Sequence, residues 1–181
     1  MRTVSLLLAL CAAWGASAFA PSARGLAQNT RRSRQQRTTL SMKVGLYFST
    51  MSGNTERIAG YIADATGLEA TSVDDVGADA LAGDDAVIIG APTWNTGADE
   101  QRSGTSMDQW LYDTLPGVDM SGKKVAIFGC GDSAGYSGNF CDAMGEIADC
   151  FEKRGATLVG PWSQDGYEHY ESKVRKLRDP R

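Results

Sequence analysis

A single histidine, His169, and four cysteines leave this 181-residue chain short of the side chains that metal sites and nucleophilic catalysis draw on. Cys11, Cys130, Cys141 and Cys150 include no Cys-x-x-Cys pair, which argues against a zinc site or an iron–sulfur cluster. Cys11 falls in a segment read below as removed, and the odd number left argues against a disulfide framework. The remaining thiols read as small apolar side chains in a reducing compartment. No Ser-His-Asp set and no paired-carboxylate cleft is discernible, so nothing points to bond-making on a substrate. The apolar run Leu6 to Trp14 is too short to span a bilayer.

That run ends at Ala16-Ser17-Ala18, a small-residue cleavage site, so residues 1–18 read as a signal peptide. Residues 19–41 are rich in Arg and Ser and hold no Asp or Glu, the composition of an organelle transit peptide. Joined at Ala16-Ser17-Ala18-Phe19-Ala20-Pro21, the two resemble the bipartite presequence of algae whose plastids have several bounding membranes. The resemblance implies delivery to the plastid stroma, with no membrane insertion after processing. Plain secretion followed by a basic linker is the alternative, and it would predict disulfides.

Charge divides along the chain. Residues 1–41 hold six of the 18 basic residues and none of the 22 acidic ones, so the rest carries 12 against 22, a net of −10. Lys173, Arg175, Lys176, Arg178 and Arg181 crowd a basic tail over 173–181, which leaves the body more acidic still. That balance argues against nucleic-acid binding, and no interleaving of basic and aromatic residues supports it. An acidic surface instead steers encounter with positively charged proteins, although solubility alone also accounts for acidic residues.

The informative run is Leu46-Tyr47-Phe48-Ser49-Thr50-Met51-Ser52-Gly53-Asn54-Thr55, where an apolar strand breaks into hydroxyls, Gly and Asn. Backbone N–H groups at the start of the next helix, the hydroxyls of Ser49, Thr50, Ser52 and Thr55 and the helix dipole can surround an anion without Lys or Arg. Glu56 is the first acidic residue of the chain and already belongs to the helix expected over 56–65. No Gly-Lys-Ser/Thr step and no Gly-x-Gly-x-x-Gly occurs here, so neither the mononucleotide nor the dinucleotide phosphate loop fits. A phosphate monoester held for its shape, with no phosphoryl transfer, describes FMN better than ATP.

From Leu46 through Ala59 to Ile62 the run resembles the flavodoxin signature, with Thr50, Gly53, Thr55 and Ala59 in place. Further segments agree in order: Ile88 to Asn95, Phe128 to Tyr136, Asn139 to Met144, and Asp165-Gly166-Tyr167. The resemblance covers about Lys43 to Ser172 and sets the domain at 42–172. It implies FMN as cofactor, bound by Ser49, Thr50, Met51, Ser52, Gly53, Asn54 and Thr55 at the phosphate, and by the segment Pro92-Thr93-Trp94-Asn95-Thr96-Gly97 and by Cys130, Gly131, Asp132, Tyr136, Asn139 and Phe140 around the ring. Trp94 and Tyr136 would flank the isoalloxazine, and the Asn95 to Gly97 peptide would turn a carbonyl to flavin N5 in the one-electron-reduced state. Asp132, near the pyrimidine edge, would oppose negative charge at N1. Asp99 and Glu100 fall in a loop, 97–106, that carries Arg102 and differs in length from family forms.

Apolar runs bounded by Gly, Pro and Asp mark strands near 43–50, 70–73, 86–91, 124–129 and 157–160, with helices near 56–65, 105–113 and 140–154. Continuous hydrophobicity in Val87-Ile88-Ile89 and Val125-Ala126-Ile127-Phe128 fits parallel strands buried on both faces. The expectation is a doubly wound α/β fold, a five-stranded parallel sheet in order 2-1-3-4-5; flavodoxin itself is the standard example of that order with FMN at its switch point. The chain turns basic after Ser172, so the fifth strand and a final helix are expected to be incomplete, with an apolar patch of sheet uncovered. By resemblance the protein is a monomeric, low-potential one-electron carrier between photosystem I and ferredoxin–NADP reductase, in place of ferredoxin, meeting basic docking faces. An FMN-dependent NAD(P)H quinone or nitro reductase on the same fold is the enzyme alternative, and a truncated form unable to hold FMN is the third.

Overall fold

A computed structural model describes residues 42–161 and 166–174. The signal and transit segments, Asp165 and most of the basic tail lie outside the described residues. Strands β1 (Val44–Phe48), β2 (Ala70–Ser72), β3 (Ala86–Pro92), β4 (Lys124–Cys130) and β5 (Thr157–Leu158) alternate with helices α1 (Asn54–Thr66), α2 (Ala78–Ala82), α3 (Ser106–Asp113) and α4 (Asp142–Lys153). The strands form one parallel sheet in the order β2-β1-β3-β4-β5, as expected.

Register explains which side chains share a face. Leu46 pairs with Ile88 and Ile88 with Ala126, while Tyr47 pairs with Ile89 and Ile89 with Ile127. Side chains alternate along a strand, so these two rows point to opposite sides of the sheet. The Tyr47 side is the larger core: Val87, Ile89, Val125 and Ile127 pack there with Leu81 of α2, Met107, Trp110 and Leu111 of α3, and Met144, Ile147 and Phe151 of α4. Trp110 donates its Nε1–H to the Val76 carbonyl at 2.7 Å, which satisfies the one polar atom it buries.

The other face is only partly covered: burial on both faces, read from the apolar runs of β3 and β4, does not hold at Ile88 and Ala126, and the uncovered patch expected with an incomplete C-terminal end lies on this side. Helix α1 places Ile58, Ala59 and Ile62 over Leu46, Phe48 and Phe128. Val44, Ala86, Ile88 and Ala126, further from the carboxyl ends of their strands, are only half-buried. Among the described residues α1 is the helix packed here, and one helix is too narrow to cover a sheet of this width.

Helix α2 is the one α-helix absent from the sequence reading; Ala78-Asp79-Ala80-Leu81-Ala82 is too short to show a period, and it is anchored by buried Leu81 with Ala78 packed against the same core. At the other end, residues 170–174 run across the start of α4. The Lys173 N–H donates to Asp142 Oδ1 at 2.7 Å, the Ser172 hydroxyl donates to the Phe140 carbonyl at 2.6 Å, and Val174 is buried. The packed chain therefore runs past the boundary expected at Ser172.

Candidate functional site

Three loops leave the carboxyl ends of β1, β3 and β4 and are tied to one another by backbone. The Ser49 N–H donates to the Gly90 carbonyl at 3.0 Å, and the Thr93 N–H to the Cys130 carbonyl at 3.0 Å. In an open parallel sheet this edge, beside the reversal of strand order between β1 and β3, is where ligands bind.

The first loop is built as an anion cradle. Helix α1 begins after Gly53 with no side chain capping it, so the leading N–H groups of the helix have no intrahelical acceptor and the positive end of the dipole is open. The Gly53 N–H donates to Thr50 Oγ1 at 3.0 Å, which folds the turn back on itself. Thr50 is half-buried, Met51, Ser52 and Asn54 are exposed, and Asn54 Nδ2 donates to Ser52 Oγ at 3.3 Å. Ser49 and Thr55 are buried instead. Ser49 Oγ lies 2.6 Å from Thr105 Oγ1, and the Thr55 hydroxyl points at Cys130 Sγ, 3.6 Å away. The set of hydroxyls and helix amides, with no carboxylate inside the turn, suits a phosphate monoester.

The second and third loops carry the large aromatics. Trp94 is 50% exposed and Tyr136 is 57% exposed, so neither ring belongs to the core. Two big apolar rings left open at one sheet edge are surfaces that a planar ligand would cover. Pro92 closes β3 in register with Cys130, Thr96 donates its N–H to the Trp94 carbonyl, and Gly97 sits at φ +81°. Only a residue without Cβ adopts that angle freely, so the Asn95 to Gly97 turn is a place where a peptide can rearrange at low cost.

The remaining expected residues divide. Asp132 is exposed, and its Oδ1 accepts the N–H groups of Ala134 at 3.0 Å and Gly135 at 2.9 Å; the carboxylate shapes its own loop while staying open to solvent. Tyr136 follows in the same turn, its N–H donating to the Asp132 carbonyl. Gly131 lies against Cys141, and Asn139 Nδ2 points at Asp142 Oδ2 from 3.4 Å. Phe140 is 1% exposed, its ring 5.6 Å from that of Tyr167 and 5.1 Å from that of His169, which places the side chain in the core beneath the loop. Cys130 is buried and its thiol is pushed up by burial, the Thr55 hydroxyl opposing, so it is no nucleophile at neutral pH.

Sequence reasoning passed over the residues that hold the second loop. Arg102 is buried, and its Nε and Nη2 donate to the Asp99 carbonyl at 3.1 and 2.6 Å. Its own carbonyl accepts the Trp94 and Asn95 N–H groups. Thr105, 56 positions from Ser49, carries the hydroxyl that pins the phosphate turn from the far side. Contacts between residues so distant leave no local signal; Arg102 as the one basic residue of the 97–106 loop was the available hint.

A five-stranded parallel α/β sheet with an uncapped helix start and exposed aromatics at its switch point defines a nucleotide-type binding protein of the doubly wound class. The comparisons with known proteins are specific. Residues 46–176 match the Flavodoxin family model, and the chain belongs to the flavodoxin family. It is 44% identical over 140 residues to a Picosynechococcus flavodoxin, covering 74% of this chain and 78% of that one. A Nostoc flavodoxin is 42% identical over 140 residues (75% and 78%), and Escherichia coli flavodoxin 1 is 40% identical over 133 residues (71% of each). Among solved structures, Bacillus cereus flavodoxin 2 in the oxidised form matches at TM-score 0.51 and 29% identity over 75% of this chain and 92% of that one. Fusobacterium nucleatum flavodoxin bound to flavin mononucleotide matches in fold at TM-score 0.60 and 21% identity, over 73% and 77%. Flavodoxins are electron-transfer proteins, not enzymes.

Proposed function

We propose that this flavodoxin holds one FMN at the carboxyl edge of β1, β3 and β4 and carries single electrons in the plastid stroma, from photosystem I to ferredoxin–NADP reductase. The observation that carries the cofactor assignment is the pairing of an open helix start ringed by hydroxyls with two exposed aromatic rings at the same sheet edge. Thr50, Ser52 and the leading amides of α1 would hold the phosphate, and Trp94 and Tyr136 the ring faces. FMN, when bound, supplies the one-electron redox chemistry. The protein's residues exclude water from the ring, orient it and set the charge around it: the exposed Asp99, Glu100 and Asp132 carboxylates lie on the loops of that edge and disfavour added negative charge there.

The partner assignment is supported by the net charge of −10 outside residues 1–41 and by the form of the presequence. A strongly acidic carrier is steered to basic docking faces, and salt weakens that steering. Two measurements test the proposal. The purified protein should retain FMN one to one and reject FAD, because a cradle closed round a terminal phosphate leaves no path for the adenylate; equal retention of FAD overturns the cofactor assignment. Electron transfer to a ferredoxin–NADP reductase should slow steeply as ionic strength rises, and a rate indifferent to salt would overturn the docking assignment.

A further inference from the structure

We propose that Glu146 is a positioning residue of the flavin site, aiming the Trp94–Asn95 backbone through the peptide between Gln101 and Arg102. The inference rests on the assignment above of FMN to this edge.

Glu146 lies on α4, outside the three loops, and is 7% exposed. Its Oε1 accepts the Gln101 N–H at 2.6 Å and its Oε2 accepts the Arg102 N–H at 2.8 Å. The Tyr112 hydroxyl donates to Oε1 at 2.6 Å. Burial, then the hydrogen bond to Glu146, pushes the Tyr112 phenol well above its usual range, so it stays a donor at any working pH. A buried carboxylate is costly unless its oxygens are occupied, and here both are, by backbone amides of a loop 44 and 45 positions away. An apolar side chain at 146 would pack without that cost; what the carboxylate adds is direction.

That direction is transmitted through one rigid plane. The Arg102 N–H and the Gln101 carbonyl belong to the same peptide unit and point opposite ways. One end is held by Glu146, and the other accepts Asn95 Nδ2 at 2.7 Å. The next carbonyl, that of Arg102, accepts the N–H groups of Trp94 at 3.2 Å and Asn95 at 3.1 Å. Gln101 itself sits at φ +59°, the left-handed region that a residue with a Cβ adopts only when its surroundings hold it there. Glu146 supplies that hold. Asp142, one turn earlier on the same face of α4, places Oδ2 3.8 Å from Arg102 Nη1 and reinforces the same loop.

The test uses the full chain. Wild type is first titrated with FMN and with riboflavin; failure to bind either would overturn the flavin assignment itself, before any variant is made. In Glu146→Gln one accepting oxygen becomes an NH₂ that faces an amide N–H. Affinity for FMN and for riboflavin should then fall together by about tenfold, the worth of one charge-assisted hydrogen bond. Their ratio should stay constant, because the loop acts on the ring and not on the phosphate. The separation between the two one-electron potentials of the loaded protein should also narrow, a change that lost stability alone does not produce. Adding Gln101→Gly, which makes the left-handed angle free of strain, should restore part of both losses. A folded Glu146→Gln protein with wild-type affinities and potentials overturns the role of Glu146 while leaving the flavin assignment standing. So does a loss confined to FMN, or a loss that Gln101→Gly fails to relieve.

Discussion

Thr50 combines two tasks that one substitution separates. Its hydroxyl accepts the Gly53 N–H and so shapes the turn, and its proton remains to be donated to whatever occupies the cradle. Thr50→Ala should weaken FMN binding by about 1–3 kcal/mol, the cost of leaving a buried polar group unpaired, while riboflavin, which has no phosphate, should bind almost as before. Equal weakening of both ligands, measured by fluorescence titration, would show that Thr50 serves only the turn. Ser52, exposed and bonded only to Asn54, should show the smaller loss of the two. The residues legible in the sequence are those whose role is local: Thr50, Gly53 and the uncapped helix start follow one another along the chain. Glu146 and Thr105 were not legible, because what they do depends on partners that only the folded sheet brings within reach.

At the scale of elements, the crossing of residues 170–174 over α4 depends on Gly145. A Cβ at that position would stand 2.5 Å from the Lys173 carbonyl oxygen and 2.7 Å from its carbon, and backbone cannot move aside as a side-chain tip can. Gly145→Ala should therefore push the crossing segment outward and strip the Lys173 and Ser172 bonds from Asp142 and Phe140, at a cost of about 1–3 kcal/mol. Chemical denaturation checks the magnitude; an unchanged midpoint would mean that the segment contributes nothing to folding. Strand positions were read within a residue or two because each is an apolar run bounded by turn residues, and the parallel order followed from alternation with helices. The apolar runs of β3 and β4 read as buried on both faces, whereas the side beside α1 is only partly covered, as the expected lack of a final helix implied; hydrophobicity reports what a strand tolerates and not how much of it a neighbouring helix is wide enough to cover. The two-residue length of β5 agrees with the expectation of an incomplete fifth strand, although Thr157 to Gly160 by itself reads as an ordinary short strand.

For the whole molecule, buried acids of weak intrinsic strength set the response to alkali. Burial pushes the thiols of Cys130, Cys141 and Cys150 up, and burial with a hydrogen bond to Asp84 pushes the Tyr47 phenol up. In each case the folded state binds its proton more tightly than the unfolded chain. The stability this confers is fully present below the unfolded values and is lost as pH rises past them. Unfolding free energy should accordingly begin to fall above about pH 8.5, where unfolded thiols ionise, and fall more steeply above about pH 10, where unfolded phenols do. Tyr47→Phe should flatten part of the second limb. A stability curve level from pH 8 to 11 would contradict the shifts.

The sheet order has a consequence for how the protein breathes. Strand β5 is joined to the rest by two registered pairs, and the Thr157 and Val159 amides, bonded to the carbonyls of Lys123 and Val125, sit at the margin of the structure. In deuterated solvent these should be among the first strand amides to exchange, through local fraying, whereas those of Val87 to Gly90, enclosed by β1 and β4, should open only with global unfolding. The cradle and the aromatic loops hang from that slow centre. The ligand-free protein should thus keep its site already shaped, losing its edge many times over before the first contact with a cofactor is disturbed.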